Sequence, residues 1–299
     1  MEKETLHIRR AWIDGASDPE VAAIRRTLET AASCLDFDPG PHVYTDRETG
    51  AHPVCVSDIV GSFTTFDSVA KAEACSRRDA RTPGSKYYGM TPEQILERWD
   101  KAGEQASSRG TLMHTFAEAC FCVATGIPGS SDKRWYCRIS DDGHSIDAVE
   151  PEERAIVAAF RWMPDHLVPV VKECRVYNRT YGYAGTLDLL SFDTCIRSCV
   201  LLDWKTNVTL EKCRLSRMLP PFGMFWDNAL GHYSVQQPLY QIPLEDLGIR
   251  LAYRFLLHVA PTGIFTPVPV GDCTGIIRTM LEERRAAGLR ADGKPENIK

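Results

Sequence analysis

Residues 185–206 read GTLDLLSFDTCIRSCVLLDWKT and carry the clearest structural pattern in the chain. Two apolar runs of strand length, 183–192 and 199–206, are joined by the polar stretch DTCIRS, which is typical of consecutive β-strands. Each run contains one aspartate, Asp188 or Asp203, among apolar residues. Because a buried carboxylate without a partner is costly, two such strands in succession indicate a shared partner.

The alternation of side chains along a strand separates a chemical face from a structural one. Asp203 and Lys205 are expected to point the same way, while Leu202 and Trp204 point to the other face, into the core. If the two strands pair, Asp188 can meet Asp203 across the ladder. Two carboxylates then offer hard oxygen ligands to Mg²⁺ or Mn²⁺, with Lys205 beside them.

A buried ion pair between Asp203 and Lys205 is the structural alternative. The chain has one other acidic-x-Lys triplet, from Asp292 to Lys294, in a glycine-containing tail without a strand pattern. The Asp203 triplet differs because it lies on an apolar strand that follows a second strand carboxylate. This context favours a functional site.

The remaining elements predict an α/β (α+β) fold with a central mixed β-sheet flanked by helices. The predicted helices are 18–33, 58–63, 92–106, 108–125, 151–166, 234–246 and 273–287, and the predicted strands are 168–177, 183–192, 199–206, 249–257 and 263–269. Residues 42–56 are predicted to form a hairpin around DRETGA, with Ser57 as the cap of the next helix. We expect a helical N-terminal extension over 1–40 and a main domain over 41–299.

The composition is that of an ordinary globular protein. Hydrophobic residues make up 43% and charged residues 25% of the 299 residues, and no apolar run is long enough to cross a membrane. Acidic residues such as Glu2, Glu4 and Asp14 near the start predict neither a signal peptide nor a mitochondrial transit peptide. We therefore expect an intracellular protein, cytoplasmic or nuclear, without a membrane partner.

Neither the cysteines nor the net charge defines a site. The eleven cysteines are scattered, and the closest pairs, Cys120 with Cys122 and Cys195 with Cys199, lack the C-x₂-C spacing of zinc sites. We expect no structural zinc. The net charge of -5 argues against a surface that is basic all over, but a nucleic-acid enzyme needs only a local positive groove.

Two further motifs flank the aspartate strands. Gly110 and His114 form a G-x-x-x-H pattern on a predicted helix, with Glu118 one turn later, and Gln236 and Tyr240 form Q-x-x-x-Y on another. Together with the two aspartates and the lysine, in this order, they resemble the PD-(D/E)XK nucleases. The resemblance covers roughly residues 42–260 and is to the RecB-like and lambda-exonuclease-like branch, which includes mitochondrial genome-maintenance exonucleases.

The resemblance implies a restriction-endonuclease-like core and a metal-dependent DNA exonuclease active in DNA repair, recombination or replication. It implies that one or two Mg²⁺ or Mn²⁺ ions are bound by His114, Asp188, Asp203 and the Trp204 carbonyl. Lys205 would orient or deprotonate the attacking water, or stabilise the pentacovalent phosphate. The substrate would be DNA that is single-stranded or has free ends.

Gln236 and Tyr240 lie four residues apart and so share a helix face. The resemblance implies that they hold the substrate backbone or the catalytic groups. Ser234 resembles a capping residue that starts the helix just before them, paired with Gln237. Pro238 is then tolerable in the first turn, whereas Pro243 is expected to kink or end the helix. Pro238, Gln237 and Ser234 would thus all belong to the helix start.

Several positions have two readings. Glu173 resembles an acidic residue that binds a second metal or orients Lys205, and an exposed edge charge is the alternative. Ser57 resembles a serine that meets a DNA phosphate, although helix capping would also explain it. The basic residues expected to contact the DNA backbone are Arg109, Lys212, Arg214 and Arg217.

Some relatives bind an iron–sulfur cluster through one cysteine before the histidine motif and three after Q-x-x-x-Y. Only Cys273 follows Tyr240 here, so no cluster is expected. Three alternatives to the exonuclease stay open. They are a structure- or sequence-specific endonuclease of the same fold, a catalytically inactive nucleic-acid-binding module, and an unrelated enzyme with a fortuitous Asp-x-Lys.

Overall fold

The computed structural model describes residues 3–127, 132–211 and 216–295. Within them the chain has a mixed α/β fold, with a central mixed sheet flanked by helices, as predicted. The strands are β1 (Glu4–His7), β2 (Leu35–Asp38), β3 (Val43–Asp46), β4 (Val54–Cys55), β5 (Ser145–Ala148), β6 (Leu167–Asn178), β7 (Tyr183–Asp193), β8 (Ser198–Lys205), β9 (Leu251–Val259) and β10 (Phe265–Pro269). The helices are α1 (Arg10–Gly15), α2 (Pro19–Ala32), α3 (Val56–Gly61), α4 (Ser68–Asp79), α5 (Pro92–Thr125), α6 (Pro151–Trp162), α7 (Ala229–Asp246) and α8 (Thr274–Ala286), with a 3-10 helix at Lys133–Arg138.

The central sheet has six strands. Its main path runs β10-β9-β8-β7-β4, and β6 also pairs with β7. The β6–β7, β7–β8 and β9–β10 ladders are antiparallel, whereas β8–β9 and β4–β7 are parallel. Two separate two-stranded sheets pair β1 with β5 and β2 with β3. The three consecutive strands predicted from the apolar runs are therefore confirmed as the centre of the sheet.

The strands β7 and β8 separate partway along their length. Their ladder runs from Asp193 opposite Ser198 to Leu189 opposite Leu202, and the first residues of β7 pair with β4 instead. Asp188 and Asp203 each lie one residue beyond this last pair, because Asp188 precedes Leu189 and Asp203 follows Leu202. They therefore lie at the point where the sheet forks.

The core residues of β8 face the helices, as the alternation predicts. Leu202 is fully buried, and the Trp204 ring packs at 5.7 Å between centroids from Phe160 of α6. Aromatic burial of this kind is a large part of what holds the helices on the sheet. None of the helices in the described ranges is long and apolar enough to cross a membrane.

The predicted hairpin over residues 42–56 is wrong. Its first run, in β3, pairs with β2, where Leu35 lies opposite Asp46. Its second run, in β4, pairs in parallel with the start of β7, where Val54 lies opposite Tyr183. A long-range pairing that buries Val54 and Cys55 against the central sheet has overridden the local turn signal.

Ser57 does not cap a helix. α3 begins at Val56 after Cys55, and no side chain caps its first turn. Likewise, the two helices predicted over 92–106 and 108–125 are one continuous helix, α5, opened by the predicted capping box of Thr91 and Gln94. An interior glycine costs only about 1 kcal/mol relative to alanine, so Gly110 does not interrupt it.

The predicted start of α7 is also wrong. The helix begins at Ala229, capped by the Asn228 side chain, so Ser234 and Gln237 lie in its interior and form no capping box. Both Pro238 and Pro243 are inside the helix, which continues to Asp246.

A proline removes the N–H that would bond the carbonyl four residues earlier. The carbonyl of Ser234, four before Pro238, accepts from the Cys273 Sγ, and that of Leu239, four before Pro243, accepts from the Tyr183 hydroxyl at 3.0 Å. These bonds explain why α7 continues through both prolines.

Candidate functional site

Asp188 is held at the sheet fork by a backbone donor. Its Oδ2 accepts a 2.7 Å hydrogen bond from the Trp204 N–H, which points into the gap that opens between β7 and β8. This bond fixes one carboxylate oxygen and sets Asp188 next to Asp203. The expected meeting of the two aspartates thus occurs at the fork itself. Trp204 contributes its N–H to the site, and a role for its carbonyl stays a prediction.

His114 and Glu173 approach Asp188 from other elements. The His114 Nδ1, on α5, lies 3.7 Å from both the Glu173 Oε1 and the Asp188 Oδ2. One ligand atom from each of the three residues falls within a cluster 4.8 Å across. Glu173 lies on β6 between Lys172, opposite Leu189, and Cys174, and so is level with Asp188. The structure therefore brings together residues that are far apart in sequence.

The backbone of Glu173 is strained. Its φ of 44° lies in the left-handed region, which is costly for a residue with a Cβ, by roughly 1–3 kcal/mol. It interrupts β6, which already has a register shift against β7 between Pro169 and Val171. Lys172 and Glu173, which would face opposite ways in a regular strand, both line one small cavity with His114 and Asp188. The alternative of a simple edge charge for Glu173 does not describe this position.

Lys205 is buried beside Asp203. Its Nζ contacts the Asp203 Oδ2, and it lies 4.3 Å from the centre of the Tyr233 ring. The Tyr233 hydroxyl donates to Asn207 at 2.8 Å. The Asp203–Lys205 ion pair thus exists, but it is one part of a larger cluster of carboxylates. Lys205, Asp203, Tyr233 and Asn207 thus form one connected group next to Asp188.

The two aspartates of this cluster are destabilised in their charged form. Burial and the charge of Asp188 raise the pKa of Asp203 to about 6, against the opposing effect of Lys205. Burial also raises the pKa of Asp188, and the charges of His114 and Lys205 only partly offset it. Both aspartates would therefore be stabilised by another cation.

The basic members of the cluster are instead stabilised in their charged form. Burial alone would lower the pKa of His114, but Asp188 and Glu173 outweigh it and raise that pKa to about 9. Asp203 and Asp188 likewise raise the pKa of Lys205 despite its burial. Three carboxylates and one imidazole form a donor set rich in hard oxygens, which fits Mg²⁺ or Mn²⁺.

Gln236 and Tyr240 point toward this cluster from α7. The Gln236 Nε2 donates to the Tyr240 Oη at 3.0 Å. Burial, followed by the charges of Asp203 and Asp188, raises the pKa of Tyr240 well above its ordinary value, so the phenol stays protonated. The ring lies against Gly185, where an added Cβ would come within 2.6 Å of the Tyr240 Cε1. A glycine is therefore required at this position of β7.

A groove of about 590 Å³ extends from the cluster across β7 and β6. Four of the residues predicted for the site line it, and they are Ser57, Glu173, Gln236 and Tyr240. Ser57 is exposed on the first turn of α3, so its hydroxyl is free to meet a ligand in the groove. The predicted phosphate contact of Ser57 remains compatible with this position, without the capping role.

The predicted DNA-contacting arginines do not line this groove. Arg109 is engaged within the protein, where it donates to the Thr206 carbonyl and lies 3.1 Å from the Glu152 Oε1. Arg217 stacks over Trp226, 3.6 Å from the ring centre, and lines a different surface pocket. Lys212 and Arg214 lie outside the described residues. Arg109 therefore links α5 to the residue after β8, Thr206, and to Glu152 of α6.

Two residues next to the cluster had no site role in the sequence analysis, Glu118, which was noted beside the histidine motif, and Lys172, which was not noted. Lys172 donates to Glu118 at 2.5 Å, and both line the small cavity that also holds His114, Glu173 and Asp188. Glu118 follows His114 by one helical turn, which was the available signal. The sequence contained no signal for Lys172, because regular strand alternation would place its side chain on the face opposite to that of Glu173.

No family model matches this chain, and no curated protein matches it either.

Proposed function

We propose that the chain is a metal-dependent nuclease of the PD-(D/E)XK superfamily, with a restriction-endonuclease-like core, and that it acts on DNA as an exonuclease. One observation carries the proposal. Asp188 and Glu173 converge with His114 at the fork of the sheet, and Asp203, paired with Lys205, lies next to Asp188 there. The resemblance of the motifs supplies the superfamily, the exonuclease activity and a role in DNA repair, recombination or replication.

A purely structural ion pair explains less of the site. It accounts for Asp203 and Lys205, but not for two more carboxylates placed beside them. In the cluster three carboxylates face one ammonium and at most one imidazolium, so negative charge is in excess. Burying such an excess costs free energy, and an added cation offsets this cost while the carboxylates stay ionised. The alternative of an inactive binding module gives no reason to keep this arrangement.

Asp188, Asp203, Glu173 and His114 would hold one or two divalent ions, which supply a more acidic water and charge stabilisation on the phosphate. Lys205 keeps its proton because its pKa is raised. It therefore acts as a fixed positive charge that orients the water or stabilises the pentacovalent phosphate, and not as a base.

The experiment that tests the proposal compares two Asp-x-Lys triplets. Asp292 is also buried, and its Oδ2 lies 3.3 Å from the Lys294 Nζ, so this second triplet is a matched control. Asp203→Asn should reduce Mg²⁺-dependent DNA cleavage by about 10³-fold, equivalent to about 4 kcal/mol of transition-state stabilisation. Asp292→Asn should leave the cleavage rate of the folded protein unchanged. Equal rates for Asp203→Asn and wild type would refute the assignment.

The endonuclease alternative is separated by the form of the substrate. A covalently closed circle and the same DNA linearised are incubated with the enzyme in Mg²⁺ at low salt. An exonuclease degrades the linear form alone, because it needs a free end. Nicking of the circle at a comparable rate would select the endonuclease.

A further inference from the structure

We propose that the groove beside the acidic cluster is a nucleotide subsite, in which Arg175 binds a phosphate of the substrate strand and the rings of Phe37 and His42 stack on a base. This inference rests on the proposed function and names how the substrate is held. The groove joins the cluster through Glu173, which lines both the groove and the small cavity beside Asp188. A nucleotide in it would be adjacent to the reacting phosphate.

Aromatic rings form one wall of the groove. Phe37 lies between His42 and Tyr44, with ring centroids 5.0 Å and 4.6 Å away. Tyr44 is buried and its hydroxyl is bonded to Thr186 at 2.9 Å, so it supports the wall. Phe37 is half-buried and His42 is exposed, so both rings are at least partly accessible to a planar ligand in the groove. Stacking on such rings is the usual way in which proteins bind unpaired bases.

The backbone of His42 is held in a strained conformation at this wall. Among the described residues only His42, Glu173 and Arg197 combine a side chain with a positive φ, and the first two line the groove. The φ of His42 is 56°, and its carbonyl accepts from the Cys55 Sγ at 3.3 Å. Strained residues of this kind tend to cluster where a ligand is bound.

Arg175 supplies the positive charge of the groove. It lies on β6 opposite Thr186, two residues after Glu173. No hydrogen bond or ion pair within residues 3–127, 132–211 and 216–295 engages its guanidinium. By contrast, the guanidinium of Arg179, the residue that follows β6, is paired with the Glu48 carboxylate. A free guanidinium beside a nucleotide-sized space is suited to a phosphate, which it can bind through two hydrogen bonds.

Gln236 adds an acceptor on the opposite wall. Its amide nitrogen is committed to Tyr240, while its Oε1 is buried and has no partner among the residues described. A buried carbonyl oxygen without a donor costs free energy. A base N–H or a sugar hydroxyl in the groove would satisfy it. The groove thus presents a cation and two partly accessible rings to one ligand, and an unsatisfied acceptor lies buried in its wall.

The test measures binding of a fluorescein-labelled pentathymidylate by anisotropy, in chelator to prevent cleavage, over a range of salt concentrations. For a single strand each phosphate contact contributes about 0.7 to the slope of log affinity against log salt. Arg175→Gln should reduce the slope by about 0.7. Arg26→Gln is the matched control, since Arg26 is exposed on α2 and does not line the groove, and it should leave the slope unchanged.

The aromatic wall is tested separately. His42→Ala should weaken binding of the pentathymidylate about tenfold with little change in slope, because base stacking is insensitive to salt. An abasic pentamer should not distinguish His42→Ala from wild type. Melting temperatures verify that both variants are folded. An unchanged slope in Arg175→Gln, or an unchanged affinity in His42→Ala, would overturn the subsite.

A Mn²⁺ titration of the same variants separates the two proposals. Arg175→Gln and His42→Ala should bind Mn²⁺ like wild type. If wild type binds Mn²⁺ but the oligonucleotide signatures are missing, the subsite is wrong and the metal site stands. If the signatures are present and Mn²⁺ does not bind, the proposed nuclease is wrong and the nucleotide subsite stands.

Discussion

Two buried acidic sites in this protein are satisfied in different ways. At the first, Asp227 is completely buried and accepts hydrogen bonds from Thr64, from both the N–H and the hydroxyl of Thr65, and from the His232 Nε2 at 2.7 Å. Burial alone would raise its pKa, but the hydrogen bonds of Thr65, His232 and Thr64 lower it to about 2. This carboxylate is stable as a permanent anion.

At the second site, the sheet fork, the carboxylates face one another. Asp203 is almost completely buried, and its pKa is raised to about 6 by burial and by Asp188. Hydrogen-bond donors of Thr64, Thr65 and His232 satisfy Asp227, whereas Asp188 and Asp203 depend on the charges of Lys205 and His114. Asp227 therefore holds the start of α7 to the loop after α3. The unbalanced charge at the fork supports the proposal that a further cation binds there.

The largest contrast is expected in stability. Asp227→Ala leaves the donors of Thr64, Thr65 and His232 without an acceptor and should lower the free energy of unfolding by about 3 kcal/mol. Asp203→Ala removes one of two repelling carboxylates but also takes away the ion-pair partner of Lys205, so the two effects oppose each other and the loss should be smaller, about 1 kcal/mol. Urea unfolding of both variants measures the difference. Equal losses would remove the distinction between the two sites.

Metal affinity should show the reverse contrast. His114→Ala removes one ligand atom and should weaken Mn²⁺ binding by at least about tenfold, since losing even a supporting residue of a metal site costs this much. His232→Ala, at the Asp227 site, is the matched control and should leave Mn²⁺ binding unchanged. Calorimetry on the two folded variants measures both. A similar effect of the two substitutions would assign His114 a structural role.

Acid should weaken the Asp227 site in a defined range. Because the pKa of Asp227 falls from the ordinary 3.8 to about 2 on folding, its contribution is complete above about pH 4 and is lost as the pH falls toward 2. The contribution amounts to about 2 kcal/mol. Asp227→Asn cannot titrate, so its unfolding free energy should depend less steeply on pH over this range. Parallel curves for wild type and variant would contradict the low pKa.

The smallest expected effect comes from the backbone of Glu173. Because its φ is positive, Glu173→Gly should be about 1 kcal/mol more stable than Glu173→Ala, and both should bind Mn²⁺ less tightly than wild type. Thermal unfolding of the two variants isolates the backbone contribution, since both lack the carboxylate. An alanine variant as stable as the glycine variant would show that the strain is absent.

The sequence predicted the parts of the site that depend on local pattern. The apolar runs defined β6, β7 and β8, and antiparallel pairing of neighbouring strands brought Asp188 to Asp203. The i, i+4 spacing also placed Gln236 and Tyr240 on one helix face, although the start of α7 was wrong.

What the sequence could not predict depends on contacts between distant elements. The parallel pairing of β4 with β7 overrode a local hairpin signal. The prolines of α7 are tolerated because Cys273 and Tyr183 bond the freed carbonyls. The left-handed conformation of Glu173 and the position of Arg175 in the groove are likewise seen only in the folded structure. No local spacing encodes these features.

A calorimetric titration of wild type, Asp203→Asn and Asp227→Asn with Mn²⁺ tests the metal site most directly, because it measures cation binding without relying on substrate or cleavage. Wild type and Asp227→Asn should bind with the same affinity and stoichiometry, while Asp203→Asn should bind at least about tenfold more weakly. No heat of binding in folded wild-type protein, or equal affinity in the wild type and Asp203→Asn, would contradict a metal site at the fork.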